Sequence, residues 1–132
     1  MFVVKKTQDQ TINWPCVVEV PADGGKISKF EFTGIFRLLN DDQKEALQAE
    51  AKTSDAGEAE QEEGTNAWKE RSVDNILRVM EGWKSVVDEG KSPIEFNRES
   101  LLAAARSVNG ISILRAINTA IAEINTGARV KN

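Results

Sequence analysis

The chain has 132 residues, 40% of them hydrophobic and 29% charged, and a formal net charge of −4. That is the size and makeup of one ordinary globular domain, long enough to enclose a sizeable core. With no histidine and a single cysteine, Cys16, the chain cannot build serine–histidine or cysteine–histidine catalytic pairs, nor zinc sites of the usual composition.

One cysteine forbids an internal disulfide and fits a reducing cytoplasm. No apolar run approaches the roughly 20 residues of a membrane span, and no signal peptide opens the sequence, so no membrane association is expected. A mildly acidic chain, with pI about 5.0, argues against a nucleic-acid partner, which calls for a basic face. No phosphate-binding loop, dinucleotide fingerprint or calcium loop is present. The expectation is therefore a non-enzyme with no catalytic residue, cofactor or metal.

Residues 1–39 read as β structure. In Ile12-Asn13-Trp14-Pro15-Cys16-Val17-Val18-Glu19-Val20 the even positions are all apolar. Period two marks a half-buried strand. Pro15 has no N–H for a ladder, so this strand belongs at an edge or carries a bulge. Asp23-Gly24-Gly25 reads as a turn, and Lys29-Phe30-Glu31-Phe32 alternates again, which makes a β-hairpin. Phe2-Val3-Val4 is a candidate third strand. Cys16 lies on the inward phase and reads as a small core residue.

Residues 40–64 open with a helix start. Asn40 is placed as N-cap, with Gln43 as its capping-box partner. The helix that follows has one large apolar residue, Leu47, among alanines, a thin stripe for anchoring. Residues 52–64 read as a mobile linker or frayed helix. From Asp41 to Glu63 nine acids face two lysines, a local charge of −7 within a chain of −4, so the remainder carries +3. Such a run is ordinarily a solvated segment. The sharper alternative is an acidic patch at Glu58, Glu60, Glu62 and Glu63 that meets a basic partner or mimics DNA.

Residues 65–132 read as helical. Trp68, Val73, Ile76, Leu77, Met80 and Trp83 recur at helical spacing, with Thr65 or Asn66 as N-cap. Val86-Val87, a turn at Asp88-Glu89-Gly90, and Ile94-Glu95-Phe96 make a short extended excursion. Asn97 then caps a helix bearing Leu101 and Leu102, with Phe96 and Leu101 placed as a hydrophobic staple. Asn109-Gly110 reads as that helix's end. A last helix carries Ile113, Leu114, Ile117, Ile121 and Ile124, and Gly127 closes it. The predicted class is α+β in a single domain, 1–132: an N-terminal antiparallel hairpin or small sheet packed against a C-terminal part of three to four helices.

Trp83 stands at a corner, where Met80, Val87, Ile94 and Phe96 can pack around it. A tryptophan there is either a structural plug or a docking residue, since tryptophan is enriched at binding hot spots. Trp83, Val87, Ile94, Phe96 and Leu47 are the candidate partner-binding residues.

The same corner carries a resemblance. Gly82-Trp83-Lys84-Ser85-Val86-Val87-Asp88-Glu89-Gly90, then Pro93-Ile94-Glu95-Phe96-Asn97 and the Leu101-Leu102 helix, resembles the tail assembly chaperones of long-tailed bacteriophages. Phe32-Thr33-Gly34-Ile35-Phe36-Arg37-Leu38-Leu39 is similar to the family's segment before its first helix. The likeness spans about residues 27–128. It implies a non-enzymatic protein of the host bacterial cytoplasm that coats the tape measure protein and helps recruit the tail tube protein. It further implies self-association along the client and absence from the mature virion. Competing expectations are a structural virion component, such as a head–tail connector or tail completion protein, and an acidic host-takeover inhibitor.

Overall fold

The computed structural model describes Phe2, residues 10–56 and residues 65–127, with side chains described except at 50–56, 65 and 66. The expected strand at Phe2-Val3-Val4 lies outside the described residues apart from Phe2, which is exposed. The patch Glu58, Glu60, Glu62 and Glu63 lies outside them too, as do the side chains of the expected caps Thr65 and Asn66.

Two strands form the hairpin, β1 (Gln10–Ala22) and β2 (Lys26–Leu38), paired antiparallel without a break from Gln10↔Leu38 to Ala22↔Lys26. The turn between them needs left-handed backbone, and Gly24 and Gly25 supply it at φ 77° and 76°. Even positions of β1 point inward, as the period predicts: Cys16, Val18 and Val20 are buried. Pro15 sits in β1 with no bulge, opposite Thr33. The Arg37 N–H donates to the Val79 carbonyl at 2.7 Å. Odd positions of β2 therefore turn their backbone toward the third strand, and Pro15, opposite one of them, turns its nitrogen to the free edge of β1.

After β2 come α1 (Asp41–Ala56), α2 (Thr65–Leu77), β3 (Met80–Lys84), α3 (Arg98–Ala105) and α4 (Gly110–Thr126). The sheet order is β1-β2-β3. The fold is thus α+β, a three-stranded antiparallel sheet whose inner face packs against helices, with α1 and α2 inserted between β2 and β3. Two expectations need correction, and one open reading is decided in part. The helix expected to run through Met80 to Trp83 stops at Leu77, and Met80–Lys84 is a strand on β2. Spacing favoured the helix, but the open backbone groups of β2 are satisfied by a strand, and a register shift at Ile35/Phe36 puts Met80 and Trp83 on one face of it. Of residues 52–64, read as a mobile linker or frayed helix, 52–56 continue α1. Finally, Gly110 opens α4 and does not end α3. A Cβ at Gly110 would overlap the Ala105 carbonyl, so only glycine lets the two helices meet there.

Other local readings agree with the structure. The Asn97 side chain accepts from the Ser100 N–H at 2.8 Å. Gly127 closes α4 in the left-handed region, φ 74°. The core joins Cys16, Phe32 and Phe36 of the sheet to Val73, Ile76, Leu101, Leu114 and Ile117 of the helices. Replacing Gly110 by alanine should cost about 3 kcal/mol through forced displacement of α3 from α4. A thermal melt of Gly110→Ala against the wild type measures it.

Candidate functional site: a tryptophan corner and an apolar groove

Among the described residues no helix is long and apolar enough to cross a membrane. No group of three histidine, cysteine, aspartate or glutamate residues among them could hold a metal ion.

Four of the five candidate partner-binding residues lie at the corner. β3 ends at Lys84, and Ser85 turns the chain with φ 68°. The segment then doubles back: Val87 bridges Pro93, and the Ile94 N–H donates to the Val86 carbonyl at 2.9 Å. Trp83 fills the inside of this loop. Its indole N–H donates to the Ile94 carbonyl at 2.8 Å. Its ring stands edge-on to Phe96, with centroids 5.0 Å apart, and to Phe32 at 6.3 Å. Such edge-to-face pairs add stability beyond burial alone. Trp83, Ile94 and Phe96 are half-buried by these contacts, while Val87 points outward at 50% exposure. The geometry is that of a plug with one exposed aliphatic side chain on its rim.

The fifth candidate, Leu47, lies elsewhere. Asn40 and Gln43 cap α1 reciprocally: each backbone N–H donates to the other's side chain, both at 2.9 Å. Leu47 then lines a groove with Phe36 and Leu39 at the end of β2, Val79 before β3, and Ile121 and Ile124 of α4. The rim is polar, with Arg37, Lys44, Gln48 and Asn125. The Arg37 guanidinium is held by the Arg78 carbonyl at 2.9 Å. The cavity measures about 180 Å³. An apolar cavity of about 150 Å³ accepts a benzene-sized group, so this one has room for one bulky apolar side chain presented from a helix or strand. Sequence spacing placed Ile121 and Ile124 on the apolar face of the last helix, which is a partial signal. Nothing local could place Phe36, Leu39 and Val79 beside them, because the topology brings them together.

Two buried polar groups serve packing. Trp14 on β1 donates its indole N–H to the Glu123 carboxylate at 3.1 Å, which pins α4 to the sheet. Cys16 is fully buried beneath it. Burial pushes its thiol up to about 12; the charges of Glu123 and Glu31 add to the rise and a backbone hydrogen bond from Gly34 opposes it. The folded state holds this thiol neutral. Its contribution to stability is present below the unfolded value of 9.0 and is lost as pH climbs from there toward about 12. Native protein at pH 8 should leave Cys16 unmodified by a thiol-specific disulfide reagent, while urea-unfolded protein reacts fully. Denaturant midpoints should fall as pH is raised above 9.0, and a Cys16→Ala variant should lose that part of the fall. Trp83→Ala should cost about 3–5 kcal/mol, as expected of a packed aromatic, seen as a lowered melting temperature.

The chain matches no protein-family model, no curated protein and no solved structure.

Proposed function

We propose that this protein is a phage tail assembly chaperone, a non-enzymatic binder of the tape measure protein that assists assembly of the tail tube. The observation that carries the reading is the groove walled by Phe36, Leu39, Leu47, Val79, Ile121 and Ile124. The corner sequence Gly82–Gly90 with Pro93–Asn97, which resembles that family, supports it. A tape measure protein presents long helices with apolar stripes, and uncovered stripes aggregate. A groove of this kind receives such a helix through side chains spaced three and four residues apart. The cavity takes one of them, and the polar rim meets the flanking polar positions. On this reading the protein acts in the host bacterial cytoplasm, self-associates along its client and leaves before the virion matures.

The direct test is co-expression with the tape measure protein and recovery of a complex. Ile124→Glu places a charge in the groove wall at a half-buried position, so the fold should survive. Client affinity should drop by about 2 kcal/mol or more, roughly 30-fold. Equal recovery by wild type and variant would sink the groove as client site. Mass spectrometry of purified particles should find no copies of the chain; a fixed copy number would identify a structural component instead.

A further inference from the structure

We propose that Asn109 is a site of spontaneous deamidation, gated by the hydrogen bond between the Gly110 N–H and the Ser107 carbonyl at the junction of α3 and α4. Its chemistry does not depend on the chaperone reading.

The sequence supplies the reactants. An asparagine side-chain amide is attacked by the backbone nitrogen of the next residue, and glycine, with no Cβ, leaves that nitrogen least obstructed. No other asparagine in the chain is followed by glycine. The fold makes that glycine compulsory, because a Cβ at Gly110 would overlap the Ala105 carbonyl. Asn109 itself is exposed, and its side chain makes no capping hydrogen bond to α4. Its Cγ is therefore free to turn toward the Gly110 nitrogen.

The native backbone holds the reaction back. The Gly110 N–H donates to the Ser107 carbonyl at 3.0 Å, and the Ile113 N–H donates to the Asn109 carbonyl at 3.0 Å. The Gly110 nitrogen must give up its proton before it attacks, and the first of these bonds ties that proton down. Ring closure also needs Cβ and the Gly110 nitrogen on the same side of the Cα–C bond, far from the ψ of 21° that Asn109 adopts. Exposed turns open locally far more readily than a fold unfolds as a whole. Residues 106–109 form such an exposed turn, and its opening breaks the bond to Ser107.

In the open state hydroxide takes the Gly110 amide proton, and the nitrogen bonds to Asn109 Cγ. The Cγ–Nδ2 bond breaks, ammonia leaves and a cyclic succinimide forms. Water then opens the ring at one of its two carbonyls. Attack at Cγ gives aspartate. Attack at the backbone carbonyl carbon gives isoaspartate, whose main chain runs through Cβ and Cγ. The two products act differently on the fold. Aspartate puts a negative charge at the start of α4, whose first turn has no acid, and the helix dipole favours it there. Isoaspartate lengthens the chain just before Gly110, where α4 has no clearance from Ala105, and so shifts α4 against α3.

Peptide mass spectrometry of the full chain, incubated at pH 8 with and without urea, reads the conversion of amide to acid. In urea, Asn109 should convert at least about tenfold faster than any other asparagine; a smaller lead would overturn the site. In native protein the conversion should be slower, by a factor that matches the hydrogen-exchange protection of the Gly110 amide within about threefold, since both need the same bond broken. A mismatch beyond that would overturn the gate. Chains carrying isoaspartate, separated after ageing and recognised by resistance to an aspartate-specific protease, should melt below wild type. Asn109→Asp should melt at or above wild type. An isoaspartate form that melts with wild type, or an Asn109→Asp variant that melts as low as the isoaspartate form, would overturn the placing of α4 by this junction.

Discussion

A glycine between two tryptophans sets the geometry of this sheet. Gly34 of β2 pairs with Trp14 on β1 and with Trp83 on β3. A side chain at Gly34 would come within 2.5 Å of the Phe36 ring and 3.2 Å of the Cys16 sulfur. Its absence lets Phe36 and Cys16 sink fully into the core while both indoles stand beside them on the same face. Each indole then fastens the sheet to something else. Trp14 binds Glu123 and so holds α4. Trp83 binds the Ile94 carbonyl and so holds the loop that leads to α3. One small residue thus allows two large ones to couple the sheet to both ends of the helical layer.

The tight packing of that layer contrasts with the end of the sheet where α1 lies. There the same strand, β2, offers Phe36 and Arg37 to a groove that the helical layer closes on one side only. α4 contributes Ile121 and Ile124, either side of the Glu123 that Trp14 holds. Residues of the sheet and of α4 thereby build an apolar wall, and Leu47 of α1 lies against it. At the aromatic corner, by contrast, the indole N–H and the edge-on rings are satisfied within the chain.

The largest aromatic is packed at the corner, while the groove is walled mainly by aliphatic side chains. Trp83 has the residue type that binding hot spots favour, and sequence alone could not say whether its indole N–H had a partner. The Ile94 carbonyl supplies one. Leu47 was legible as an odd residue, a lone leucine among alanines, and it does line the groove. Its neighbours there come from three separate stretches of chain, so no local pattern could assemble them.

What local sequence determined is what short-range physics controls. The hairpin followed from period-two alternation around Asp23-Gly24-Gly25. The caps at Asn40 and Asn97 followed from side chains that reach their own backbone three residues on. The stop at Gly127 followed from a residue free to adopt left-handed backbone. Tertiary structure decided the rest, where local preference was divided. In Met80-Glu81-Gly82-Trp83-Lys84 the apolar Met80 and Trp83 are three apart, a helix spacing, yet the unpaired edge of β2 drew the segment into the sheet, and a register shift at Ile35/Phe36 sets both opposite inward positions. Asn109-Gly110 suits a helix end, but close approach to the Ala105 carbonyl made the glycine a helix start. The groove belongs wholly to that second category, since its walls meet only after the strands have paired and α4 has crossed them.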